Sequence, residues 1–120
     1  MATILVIDDS ASMLEWMRGA LAGGGHEPVL CTTGDQALLV VAERTVDLIV
    51  TDIYMPGEDG LAVIMQLKKS RPGIPVIAIS GMSGRWNMLE VAEQLGAFRT
   101  LQKPFAPAVL LEAVDAALAA

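Results

Sequence analysis

Cysteine is almost missing from this 120-residue chain, where Cys31 stands alone. One thiol rules out an intrachain disulfide and a cysteine metal cluster, and it fits a reducing compartment. Aromatic residues are scarce at 4% while apolar residues reach 53%, so the core must be aliphatic, built of Leu, Ile, Val, Ala and Met. Basic residues are outnumbered, 8 against 14 acidic, for a net charge of -6. Phosphate contacts need a basic face, so this balance argues against direct binding to nucleic acid. No apolar run approaches the ~20 residues of a membrane span. The opening Met1-Ala2-Thr3-Ile4-Leu5 has no basic segment before an apolar run, so no signal peptide is expected. Linkers, repeats and low-complexity tracts are also lacking. What remains fits a soluble cytoplasmic domain over residues 1–120, long enough for one real core and not for two.

What the chain does have is a regular alternation. Short β-branched runs at Thr3–Ile7, His26–Leu30, Val46–Thr51, Val76–Ile79 and Phe98–Gln102 read as strands. Between them the period becomes helical. Met13, Leu14, Met17 and Leu21 mark a first helix stopped by Gly23-Gly24-Gly25, and Thr33 caps a second that runs to Arg44 with Ala37, Leu38 and Val41 inward. Asp59 caps a third helix with the stripe Leu61, Ile64 and Leu67, and Lys68-Lys69 suit its negative end. A loop through Gly84 leads to a fourth containing Met88, Leu89, Ala92 and Leu95. Pro107 opens a fifth, with Leu110, Leu111, Val114 and Leu118 expected inside. Continuous aliphatic strands separated by helices predict an α/β fold, a doubly wound five-stranded parallel sheet of flavodoxin-like order 2-1-3-4-5 with helices on both faces.

Four of these strands end in a polar group: Asp8 and Asp9, then Asp52, then Ser80, then Lys103. Each has a plainer reading, as helix cap, turn former or surface lysine. A parallel sheet, however, puts all these ends on one side, around the switch point where such folds bind ligands. Three carboxylates and one ammonium sum to -2. Mutual repulsion should raise at least one carboxyl pKa, and a divalent cation would neutralise the pocket. An all-oxygen, partly hydrated set suits Mg2+, or Mn2+, better than zinc. A phosphoryl group then becomes attractive, with one carboxylate free to attack it and Lys103 and Ser80 able to grip its oxygens.

These pieces resemble the receiver domains of bacterial two-component response regulators, of the CheY-like kind. The resemblance lies in Ile4-Leu5-Val6-Ile7-Asp8-Asp9, Asp47 through Gly60 with its Thr51-Asp52-Ile53-Tyr54-Met55-Pro56-Gly57 centre, Ile74 through Gly81, Gly96-Ala97, and Lys103-Pro104-Phe105. It spans the chain and implies that Asp52 accepts a phosphoryl group from a phosphohistidine on a histidine kinase or a histidine phosphotransfer protein. It further implies that Asp9, Asp52 and the backbone carbonyl of Tyr54 ligate Mg2+, with Asp8 acting through a water. Ser80 takes the place of the switch hydroxyl, Lys103 that of the phosphate-binding lysine, and Lys103-Pro104 is expected cis. Thr100 stands where the family usually has Tyr or Phe, which puts the usual aromatic readout in doubt.

An aspartyl-phosphate hydrolase would need Asp-x-Asp after the first strand, and an FMN binder a richer Ser/Thr loop than Ser10-Ala11-Ser12. Neither is present. The expectation is a stand-alone phosphoacceptor switch that catalyses only its own phosphorylation and dephosphorylation, since Val114 through Ala120 stays helical to the end. The alternative is the receiver piece of a longer regulator with a DNA-binding or enzymatic output. Output is expected to pass through a protein-docking surface near Trp86, Met88, Phe98 and Thr100.

Overall fold

A computed structural model describes residues 2–55, 57–81 and 88–120. Met82 and Trp86, and the side chain of Met88, lie outside the described residues. The long strands are β1 (Thr3–Ile7), β2 (Glu27–Cys31), β3 (Leu48–Asp52), β6 (Val76–Ser80) and β7 (Arg99–Gln102). They form one sheet in the order β2-β1-β3-β6-β7, all neighbours parallel. In strand-by-strand count this is the expected 2-1-3-4-5. Helices α1 (Ala11–Gly23), α2 (Gly34–Glu43), α3 (Gly60–Ser70), α4 (Met88–Gln94) and α5 (Pro107–Ala119) connect them.

The two-residue period of a strand explains why the sheet needs helices on both sides. Along β1, Ile4 and Val6 enter one core with Leu14, Met17 and Leu21 of α1 and Leu110, Ala113, Val114 and Ala117 of α5. Leu5 and Ile7 enter the other, with Ala37 and Val41 of α2 and Val63, Ile64 and Leu67 of α3. Each fully buried aliphatic side chain of this kind contributes about 1.5–3 kcal/mol. These two layers cover both faces of the sheet and leave its carboxyl edge free to carry polar groups.

The helix starts follow the sequence. Ser10 and Thr33 accept at their hydroxyls from Met13 N and Gln36 N, and the Asp59 carboxylate accepts from Leu61 N and Ala62 N. Four details differ from expectation. Asp52 belongs to β3 as its last residue, paired with Ile79, where the loop was expected to begin. Phe98 precedes β7 and is 41% exposed. The inward face of α5 is Leu110, Ala113, Val114 and Ala117, whereas Leu111 is only half-buried and Leu118 is exposed. In so apolar a helix, spacing alone permits either stripe, and the close approach to the sheet selects the one containing two alanines. The fourth difference is a small antiparallel ribbon, β4 (Tyr54–Met55) against β5 (Glu58–Asp59), where an irregular loop was expected.

The ribbon turns at Gly57, whose φ of +79° suits a residue without a side chain. It is held from beneath by Ile53 and Met55, both buried in the second core. Gly60 closes it against β3: a Cβ there would lie 1.8 Å from the Ile53 carbonyl oxygen. Only glycine allows that approach.

Candidate functional site

Asp8 follows the last residue of β1 and is fully buried. Its Oδ1 accepts from Ser10 N at 2.9 Å, so the carboxylate is aimed by the same turn that starts α1. Asp52 ends β3, 4% exposed, and its Oδ1 accepts from Tyr54 N at 3.0 Å. Lys103 arrives just beyond β7, on the far side of β6. Its Nζ donates to Asp52 Oδ2 at 2.8 Å and to Asp8 Oδ2 at 3.3 Å. One ammonium therefore bridges two carboxylates from different strands.

Lys103 is placed by its own backbone, because its N–H donates to the carbonyl of Ser80 at 2.8 Å. Ser80 ends β6 and is buried at 9% exposure, one strand from Asp52. The peptide bond from Lys103 to Pro104 is cis, as expected. Asp9 is exposed, yet its carboxylate, Asp8 and Asp52 each offer an oxygen within 4.8 Å of the others. Tyr54 is 76% exposed at the mouth, tied in by its amide. All six residues singled out in the sequence thus converge at one sheet edge. Thr100 lies in β7 opposite Ala78 of β6, half-buried.

The electrostatics follow from the count of charges. The carboxyl of Asp8 is raised above its ordinary 3.8, first by burial, against the Ser10 N–H that lowers it, then by the charge of Asp52; Lys103 pulls it back only in part. Burial by itself would lower the Lys103 ammonium, but hydrogen bonds and charge from Asp52 and Asp8 outweigh it, and its pKa is raised. Lys103 is therefore a fixed cation at neutral pH. Three hard oxygen donors with partial solvent access fit a six-coordinate divalent cation that keeps some of its waters, and offer nothing to a soft metal.

Sequence reasoning missed Glu58. Its Oε1 accepts from the backbone N–H of Gly34, at the start of α2, at 2.5 Å. Pro56-Gly57 signalled a tight turn, but no local pattern indicates a partner 24 residues away.

A doubly wound parallel sheet with an acidic trio and a bridging lysine at its switch point defines a class: the CheY-like α/β switches. The response regulator receiver domain model matches residues 4–115, and the chain belongs to that family, a component of two-component signal transduction. The chain is 41% identical over 119 residues to the DNA-binding transcriptional regulator NtrC of Azospirillum brasilense, covering 98% of this chain and 24% of that protein. The receiver domain of NtrX from Brucella abortus superposes with a TM-score of 0.91 at 34% identity, covering 97% of this chain and 98% of that one. A CheY-like receiver from Methanospirillum hungatei superposes at 0.91 with 26% identity, covering 99% and 94%. The chain spans about a quarter of the length of the NtrC proteins it matches. Among the described residues no helix is long and apolar enough to cross a membrane.

Proposed function

We propose that residues 1–120 act as one phosphoacceptor domain in which Asp52 takes a phosphoryl group from a phosphohistidine of a histidine kinase or a histidine phosphotransfer protein. The observation that supports this most is the Lys103 bridge to Asp8 and Asp52, because it leaves two net negative charges at a site of hard oxygen ligands. Asp9, Asp52 and the Tyr54 carbonyl would hold Mg2+, with Asp8 acting through a water. When bound, the cation supplies neutralisation of the acidic pocket and of the incoming phosphoryl oxygens.

The chain's own residues do the rest. The Tyr54 N–H holds Asp52 Oδ1 and fixes the plane of the carboxylate. A carboxylate oxygen of Asp52 attacks phosphorus in line with the P–N bond of the donor. That bond breaks, its electron pair returns to the imidazole nitrogen, and an acyl phosphate forms on Asp52. Lys103 stays protonated throughout and exchanges its bond to the Asp52 carboxylate for one to a phosphoryl oxygen. Ser80, buried beside it, donates its hydroxyl to another. Hydrolysis of the acyl phosphate by water returns the starting carboxylate, so the domain acts on itself and on no separate substrate. Output passes to a protein partner in the cytoplasm; the acidic surface gives nucleic acid no direct hold.

A second reading concerns length. The similar NtrC proteins are about four times longer, and in this reading the receiver serves an attached output domain in place of a separate partner; the mass of the native polypeptide decides between them. The acceptor chemistry is tested with acetyl phosphate and Mg2+. Wild type should gain one phosphoryl group by mass spectrometry, and Asp52→Asn should gain none. Full labelling of Asp52→Asn, or of wild type in EDTA, would refute the assignment.

A further inference from the structure

Glu58 stands outside the acidic trio and has no part in the chemistry above. Its carboxylate leaves the ribbon and reaches the first turn of α2, whose opening N–H groups have no acceptor within the helix. Neighbouring side chains satisfy part of that turn. The Thr33 hydroxyl accepts from Gln36 N, while Gln36 Oε1 reaches back to Thr32 N, one residue before the cap. The Gly34 N–H is left to Glu58, 24 residues on, at 2.5 Å. A carboxylate at this position also meets the positive end of the helix dipole.

Gly34 is shaped for the contact. It is buried, and a Cβ there would lie 2.6 Å from Glu58 Oε1 and 2.6 Å from Val63 Cγ2. A missing side chain on α2 thus makes the socket into which the carboxylate fits. On the ribbon, Glu58 pairs with Met55, and the next rung pairs Asp59 with Tyr54. Tyr54 N in turn holds Asp52 Oδ1. A continuous series of contacts runs from the start of α2, through Glu58 and two ribbon rungs, to the acceptor carboxylate.

We propose that Glu58 is a positioning residue, clamping the ribbon onto α2 so that Tyr54 presents its amide to Asp52 and its carbonyl to the divalent cation. The inference rests on the metal and acceptor assignment above. In that frame Tyr54 comes from the ribbon and not from the five-stranded sheet, and Glu58 ties the ribbon to α2 on the side away from Asp52. Glu58 supplies the anchor without adding its charge to the trio.

The test compares three full-length variants: E58Q keeps an acceptor oxygen, E58M keeps the bulk without one, and E58A has neither. Two readouts are taken, the backbone amide resonances of Gly34 and Tyr54 in metal-free protein, and the Mg2+ concentration for half-maximal labelling by acetyl phosphate. E58M and E58A should shift both resonances and raise the half-saturating Mg2+ about tenfold, as loss of support behind a metal ligand commonly does. Their maximal labelling rate should change little. E58Q should restore the resonances and stay within about twofold of wild type in Mg2+. Should E58A fail to fold, E58M against E58Q decides alone. The proposal is overturned if the Gly34 resonance moves while Tyr54 and the Mg2+ midpoint stay put, or if E58Q is as impaired as E58M. Full labelling of Asp52→Asn would instead fell the underlying assignment, and the Tyr54 resonance would still judge the clamp.

Discussion

Replacing Asp8 with asparagine should make the metal-free protein more stable, although it removes an ion pair. Lys103 Nζ lies 3.3 Å from Asp8 Oδ2, an attraction of about 5 kcal/mol at an effective dielectric constant of ~20. Asp52 offers an oxygen no more than 4.8 Å away, a repulsion of at least about 3.5 kcal/mol on the same basis. Charge alone therefore favours the carboxylate by about 1.5 kcal/mol at most, and the Asp9 carboxylate reduces that further. Against it stands the removal of a carboxylate from water, several kcal/mol even after relaxation, partly offset by the Ser10 N–H bond worth about 1.5–3 kcal/mol. The raised pKa of Asp8 shows that burial wins. Asparagine keeps the shape and the acceptor for Ser10, so the gain should be about 1–2 kcal/mol, or ~4–10 °C in Tm. The sign with pH follows. Because the folded pKa lies above the ordinary 3.8, native protein binds more protons than unfolded protein in that interval. Stability is lost as pH rises through it and is constant above. The advantage of Asp8→Asn should thus be complete at pH 7 and fade below 3.8. Thermal melts of metal-free wild type and variant at pH 7 and at low pH measure it, and added Mg2+ should raise the wild type more. An equal or lower Tm for the variant at pH 7, or the same gain at low pH, would refute the reasoning.

Two further outcomes follow from the site. Gly60→Ala should cost about 3 kcal/mol or more in chemical denaturation, since the new Cβ meets the Ile53 carbonyl at 1.8 Å; a loss under 1 kcal/mol would contradict that packing. The acyl phosphate should last minutes to hours, because exposed Tyr54 stands at the mouth in place of an acid or amide that would orient water. Tyr54→Asn with Met82→Glu should shorten that lifetime, which decay of radiolabel in Mg2+ checks; loss of wild-type label within seconds would refute it.

The strands were legible because burial on both faces leaves a continuous aliphatic run, as in Ile4 through Ile7 and Val76 through Ile79. The polar residues that bring those runs to an end were legible for the same reason, so Asp8, Asp52, Ser80 and Lys103 could be gathered at one edge before any geometry was known. Other features were hidden by long-range packing. The α5 stripe was misread because the sheet prefers Ala113 and Ala117 to the larger Leu111 and Leu118. The ribbon was misread because two-residue strands have no period to detect. The Glu58 bond to Gly34 joins elements whose only common signal is a glycine where a helix begins.

The bridge from Lys103 spans 95 residues to Asp8 and 51 to Asp52. During synthesis the three aspartates are therefore made long before their counter-charge. A chain that ends at β6 would carry the three carboxylates with no Lys103 ammonium beside them and would lack the β7 edge of the sheet. Both deficits end together, since β7 delivers the edge and Lys103 directly follows it. Until then a divalent cation is the natural substitute for the lysine, so the incomplete chain should lean on metal more heavily than the finished one.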